Sequence, residues 1–69
     1  MQDLQRLVKM ANQIAENFDF HDDAVARTRD HLRRFWAPSM QRRIIEFEAA
    51  GGDGLGSTAR AAVRRLAGD

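Results

Sequence analysis

The spacing of apolar residues most strongly constrains the fold of this chain, because they recur every three or four positions along much of its length. In residues 2–17 they follow an i, i+3, i+4, i+7 pattern, which places them on one face of a helix. The pattern therefore predicts an amphipathic helix over residues 2–17, with Asp3 as its N-cap. The predicted buried stripe, continued just past the helix, consists of Leu4, Leu7, Val8, Ala11, Ile14, Ala15 and Phe18.

The only proline, Pro38, divides the middle of the chain into two further helices. A proline disfavours the α region at the preceding residue and suits the first position of a helix. We therefore expect a second helix over residues 22–36, a turn at Trp36-Ala37, and a third helix over residues 38–50. The side chains expected to face inward are Val25, Thr28, Leu32, Phe35, Met40, Ile44 and Phe47, with Ala24 and His31 beside them. Apolar residues outside the predicted faces, and so candidates for exposed contacts, are Met10, Phe20 and Ile45.

A glycine-rich segment, residues 51–56, predicts a flexible connection to a last helix over residues 57–67. The segment follows a helix instead of a strand, and no Lys-Ser or Lys-Thr pair comes after it, so a phosphate-binding loop is not indicated. Leu55 is expected to insert into the core, and Ser57 to cap the last helix. That helix is expected to bury Ala59, Ala62, Val63 and Leu66. The chain thus predicts an all-α fold, a small bundle of three main helices plus a short C-terminal helix.

Length and composition exclude several classes of protein. With 69 residues and no cysteine, the chain predicts a single domain, residues 1–69, with neither disulfides nor a thiolate metal site. No apolar run approaches the ~18 residues that span a bilayer, and no signal-peptide pattern is visible, so we expect a cytoplasmic protein without a membrane partner. The net charge is only +1, with 11 basic and 10 acidic residues interspersed, whereas nucleic-acid binders usually show a basic excess.

The sequence contains no arrangement that indicates catalysis or metal binding. His21 and His31 are ten residues apart, and neither has a histidine four residues on, so their spacing does not match a metal site. Ser39 and Ser57 lie at predicted helix starts, where a hydroxyl usually caps, and no general base can be assigned to them. We therefore expect no enzymatic activity.

Arginines flank the predicted turn at Trp36 on both sides, and a further group follows near the end of the chain (Arg60, Arg64 and Arg65). They are open to two interpretations. They could be solvated surface charge paired with Asp30, Glu46 and Glu48 at helical spacing. Alternatively, they could surround Trp36 in an interface, since aromatic anchors with neighbouring arginines are typical of binding hot spots. The candidate partner-binding residues are His31, Arg33, Arg34, Trp36, Arg42 and Arg43.

Four segments together are more specific than helical patterning requires. They are Leu7-Val-Lys-Met-Ala-Asn-Gln-Ile-Ala15, His21-Asp-Asp-Ala-Val25, Asp30-His-Leu-Arg-Arg-Phe-Trp-Ala-Pro-Ser-Met40 and Gly51-Gly-Asp-Gly-Leu55. The third is the most specific, and the first and last would be weak alone. With these segments the chain resembles the delta subunit of soluble NAD-dependent, molybdenum-containing formate dehydrogenases over nearly its whole length.

The resemblance implies a small, non-catalytic accessory subunit that carries no cofactor of its own. In such complexes the larger subunits hold the molybdopterin centre, iron-sulfur clusters and FMN. The delta subunit would dock on the molybdenum-containing alpha subunit and support assembly, stability or cofactor insertion. The alternative hypothesis is a small helical nucleic-acid-binding module that uses Arg33, Arg34, Arg42 and Arg43 on phosphates. Whether the isolated chain is monomeric or self-associates is left open by the sequence.

Overall fold

The computed structural model describes residues 4–68, which form four α-helices and no strand. The helices are α1 (Leu4–Phe18), α2 (Ala24–Phe35), α3 (Pro38–Ala49) and α4 (Ser57–Gly68). The predicted all-α fold class is confirmed, and the predicted helix ends lie within two residues of the observed ones wherever both are described. The predicted start of the first helix at residue 2 and its N-cap at Asp3 lie outside the described residues.

The four helices share one hydrophobic core, and α4 packs against each of the other three. Like α2 and α3, α4 has 12 residues, and it extends one residue beyond the predicted range of 57–67. The buried cluster consists of Leu7, Ala11, Ala15, Leu32, Trp36, Ile44, Leu55, Ala59, Val63 and Leu66. Within the described part of the chain, none of the helices has both the length and the apolar character needed to cross a membrane.

The inward face of α1 is the one that its periodicity predicts. Leu7, Ala11 and Ala15 are buried, and Leu4, Val8 and Ile14 pack partly buried against the core. Met10 and Ile45 also pack partly buried against the core, so the expectation that they are exposed is wrong. The same expectation is confirmed for Phe20, which is 81% exposed.

The inward face of α2 differs from the predicted one. The buried residues are Ala24, Thr28 and Leu32, and Trp36 continues this spacing of four immediately after the helix. The Thr28 hydroxyl is satisfied in the core because it donates a 2.8 Å hydrogen bond to the carbonyl oxygen of Ala24. Phe35, which was expected to face inward, is 71% exposed. Phe35 is exposed because the row of buried residues continues through Trp36, and only one of two adjacent residues can lie in that row.

A tight joint links α2 to α3. The Trp36 N–H still donates to the Leu32 carbonyl oxygen at 3.0 Å, and Pro38 then occupies the first position of α3, as predicted. The side-chain amide of Gln41 donates to the carbonyl oxygens of Trp36 at 2.8 Å and Arg33 at 3.2 Å. These bonds satisfy carbonyls that the end of a helix leaves without intrahelical partners. Gln41 therefore holds the end of α2 against the start of α3.

Two consecutive glycines end α3 and receive a side chain from α4. The Gly52 N–H donates to the Phe47 carbonyl oxygen at 2.9 Å and the Gly51 N–H to that of Glu48 at 3.0 Å, the bond pair of a Schellman motif. The Arg60 guanidinium then donates to the carbonyl oxygens of Gly51 at 2.7 Å and Gly52 at 2.9 Å. The segment predicted to be flexible is thus hydrogen-bonded at its start.

A buried carboxylate joins α3 to α4. Glu48 is 9% exposed and accepts a 2.7 Å hydrogen bond from the Arg64 Nε, while Arg60 Nη1 lies 4.0 Å away. The interpretation that Glu48 pairs with arginines at helical spacing is therefore wrong, because its partners belong to another helix. Two of the three arginines in the C-terminal group are used to hold the fold together.

The end of the glycine-rich connection between α3 and α4, residues 51–56, is held by α1. The Asn12 side chain donates to the Gly54 carbonyl oxygen at 2.9 Å and accepts from the Gly56 N–H at 2.8 Å. The Gly56 carbonyl oxygen accepts the N–H of Arg60 at 2.8 Å, so Gly56 occupies the N-cap position that was predicted for Ser57. Leu55 is 7% exposed, and its predicted insertion into the core is confirmed.

We predict that Gly52→Ala destabilises the fold by about 1–3 kcal/mol, the range for a strained backbone residue. Gly52 has φ +63°, and a Cβ atom there would lie 2.9 Å from Arg60 Nη1 and 3.3 Å from the Glu48 Cα. The control is Gly68→Ala, because a Cβ atom at Gly68 meets nothing within 4 Å. Urea unfolding followed by circular dichroism measures both variants. Equal stability of the two would contradict the assigned role of Gly52.

Candidate functional site

Five aromatic side chains form a continuous strip on the surface, from the end of α1 to the end of α2. They come from the last residue of α1, the turn that follows it, and the second half of α2. We call this surface the aromatic strip; its members are Phe18, Phe20, His21, His31 and Phe35. Phe20 and Phe35 are the exposed large hydrophobic residues of the described chain, at 81% and 71% exposure.

Successive rings of the strip contact one another at distances typical of aromatic pairs. From one end to the other, the ring centroids are 4.3 Å apart for Phe20 and His21 and 6.2 Å apart for His21 and Phe18. They are then 6.4 Å apart for Phe18 and His31, which meet edge to face, and 4.8 Å apart for His31 and Phe35. Because each ring rests on a neighbour, the exposed phenylalanines form part of an ordered surface.

A shallow depression of about 230 Å³ lies in the second half of the strip. It is lined by Phe18, His31 and Phe35, together with the charged side chains of Arg27, Asp30 and Arg34. The floor and walls therefore combine aromatic surface with charge at the edges. Such a combination suits a protein partner, since aromatic residues and arginines are enriched where binding energy is concentrated.

Two of the charged residues that line the depression, Arg27 and Asp30, form ion pairs with residues of α2 or just before it. Arg27 Nε donates to the Asp23 carboxylate at 2.7 Å, and Arg29 lies 3.2 Å from the Asp30 carboxylate. The hydrogen bond from Arg27 lowers the pKa of the Asp23 carboxyl below its ordinary value. Asp23 therefore remains ionised at neutral pH and offsets the charge of Arg27.

The structure brings together only some of the predicted partner-binding residues. His31 and Arg34 line the same depression. Arg33, Arg42 and Arg43 have exposed side chains but do not line it.

Trp36 requires a correction. Its side chain is 6% exposed and belongs to the hydrophobic core, so the fold does not leave the indole available as an exposed anchor. The exposed aromatic residue at this position in the fold is its neighbour Phe35. Phe35 was expected to face inward and is exposed, whereas Trp36, a candidate partner-binding residue, is the one that is buried.

Sequence reasoning did not find the aromatic strip as a unit. Phe18 was placed on the buried stripe and Phe35 in the core, and His21 was considered only as a possible metal ligand. Phe20 and His31 alone were considered as exposed or partner-binding residues. A usable signal was present, because His31 and Phe35 are four residues apart and therefore neighbours on one helix face. The contact of Phe18 with His31 depends on how α1 packs against α2, which no local pattern gives.

Within residues 4–68 there is no group of three or more His, Cys, Asp or Glu side chains placed to hold a metal ion. His21 and His31 instead contact phenylalanine rings in the aromatic strip.

The fold and the exposed strip define a small helical protein with a surface suited to binding another protein. A family model described as the NADH-dependent formate dehydrogenase delta subunit, FdsD, matches residues 6–63. The chain belongs to this family, and the predicted resemblance is confirmed. The matched range includes the whole aromatic strip and the connection between α3 and α4. Neither the comparison with curated proteins nor the comparison with solved structures gave a match.

The burial of Trp36 predicts that Trp36→Ala destabilises the fold by about 3–5 kcal/mol, as expected for removing a large core side chain. In contrast, Phe35→Ala is expected to change the free energy of unfolding by less than ~1 kcal/mol, because most of that ring is already in water. Chemical denaturation of both variants, followed by circular dichroism, measures the difference. A stable Trp36→Ala variant would contradict the core assignment.

Proposed function

We propose that this delta subunit is a non-catalytic accessory subunit, which docks on the molybdenum-containing alpha subunit of formate dehydrogenase and supports assembly or stability of the complex. Family membership supports the involvement of other subunits. The single structural observation that carries the proposal is the aromatic strip, in which the two exposed large hydrophobic residues of the described chain lie on one ordered surface.

The exposed phenylalanines contribute more to a complex than to the isolated fold. Burying one such ring completely is worth roughly 1.5–3 kcal/mol, and Phe20 and Phe35 have most of that contribution still to gain. Each of them also has a histidine ring of the strip beside it, His21 for Phe20 and His31 for Phe35. A partner that covers the strip therefore gains affinity by burying these rings.

The arginines near the joint suit the polar rim of this interface. Arg33, Arg34, Arg42 and Arg43 are exposed, and arginine is enriched in protein interfaces. We place them and His31 in contact with the partner subunit. Trp36 acts indirectly in this proposal: its burial in the core orients the end of α2, on which Phe35 and Arg34 lie.

The cofactors of the enzyme belong to the partner subunits in this proposal. The molybdopterin centre, the iron-sulfur clusters and FMN would all be held there, and the delta subunit would bind none of them. The role of the chain is then to present a rigid helical surface to a larger protein.

We predict that Phe20→Ser and Phe35→Ser each weaken association with the other formate dehydrogenase subunits by roughly 10-fold or more, as expected for interface hot spots. The double variant should weaken it further. Co-purification of the tagged delta subunit with the co-expressed complex, followed by titration of the purified components, measures the effect. Circular dichroism should show unchanged helix content, because both rings are exposed in the isolated chain.

The control is Lys9→Ser, which shortens an exposed side chain on α1 outside the aromatic strip. It should co-purify as the parent chain does. Binding to a separately expressed alpha subunit tests the identity of the partner. If both phenylalanine variants retain full association with the complex, the docking surface lies elsewhere. If association is lost but the alpha subunit alone does not bind the parent chain, another subunit is the partner.

A further inference from the structure

Arg34 has no ion pair with any residue between 4 and 68, whereas Arg27 and Arg29 of the same helix do. Arg27 pairs with Asp23 at 2.7 Å and Arg29 with Asp30 at 3.2 Å, and Arg33 also has an interaction within the chain. Arg34 is exposed and lines the depression of the aromatic strip. A positive charge that no carboxylate of the described chain pairs with therefore lies at the surface that is best suited to docking.

The position of Arg34 near the end of α2 does not by itself explain why an arginine is found there. A basic side chain in the last turn of a helix is stabilising, because it lies near the negative end of the helix dipole. However, Arg33 shares that last turn, and the Gln41 amide already satisfies the carbonyl oxygens of Arg33 and Trp36. The end of α2 is thus capped without Arg34.

The surroundings of Arg34 favour a partner of a particular chemistry. The Phe18 and Phe35 rings border the same depression, so a group bound there would contact apolar surface and guanidinium together. The acidic residue at the edge, Asp30, is engaged by Arg29. A guanidinium presents donors in a planar fork that matches a carboxylate, and a pair shielded by aromatic rings is stronger than one in open water.

We infer that the docking subunit inserts a segment bearing an Asp or Glu side chain into this depression. Its carboxylate pairs with Arg34, and the apolar residues beside it pack on Phe18 and Phe35. The inference rests on the proposed function and deepens it, since it names the chemistry of the surface that the strip recognises. Arg34 then sets specificity: the rings supply apolar contact that many partners could use, and the guanidinium rejects a partner without a matching anion.

The test compares three variants of the delta subunit in complex with the other formate dehydrogenase subunits. Arg34→Glu should raise the Kd for the complex by on the order of 30-fold, as expected when one partner of a buried interfacial charge pair is lost. Arg34→Lys keeps the charge but loses the fork, and a smaller rise is expected. The matched control is Arg65→Glu, an exposed arginine in the last turn of α4 that does not line the depression, and its Kd should stay within about twofold of the parent value.

The outcomes separate this inference from the docking proposal on which it rests. If Phe35→Ser weakens association but Arg34→Glu does not, docking on the strip stands and the carboxylate pair is overturned. If neither variant weakens association, the docking surface itself is overturned. Equal effects of Arg34→Glu and Arg65→Glu would indicate general charge attraction and overturn a specific pair. Size-exclusion chromatography of the parent and Arg34→Glu chains tests whether a second copy of the chain occupies the depression. If the parent chain self-associates and the variant does not, the assignment of the depression to another subunit is overturned.

Discussion

Burial of the Trp36 indole fixes what α2 presents to its surroundings. The buried residues of this helix form a row with a spacing of four, and Trp36 is its last member. Because a helix advances by about 100° per residue, the residue before Trp36 points well away from the core. Phe35 is that residue, and His31 lies one turn earlier on the same side. The exposed half of the aromatic strip is thus a geometric consequence of placing one large side chain in a small core.

Much of the fold was predictable, because it depends on local periodicity. The number of helices, their approximate ends, the inward face of α1 and the insertion of Leu55 all follow from the spacing of apolar residues and from Pro38 and the glycine-rich segment. The buried residues of α4 were predicted for the same reason. In each case a single face of the helix is apolar, so that only one orientation buries it.

The features that were not predicted depend on contacts between distant parts of the chain. In α2, a row through Val25 and Phe35 and a row through Ala24 and Trp36 fit the helical period almost equally well, and packing against the other helices decides between them. Asn12 looks like an ordinary surface residue in sequence, although its amide holds two backbone groups of the connection 42 and 44 positions away. The candidate site was missed in part for this reason, since the strip forms only when α1 and α2 pack together.

The placement of the aromatic strip has a consequence for the order of events during synthesis. All of its residues belong to α1, α2 and the turn between them, whereas the contacts that hold the bundle closed use Glu48, the connection and α4. At ~5–20 residues per second, the ribosome completes the strip a few seconds before it completes α4. The residues of the strip are therefore present in the growing chain before Glu48, the connection and α4, which close the bundle, have been synthesised.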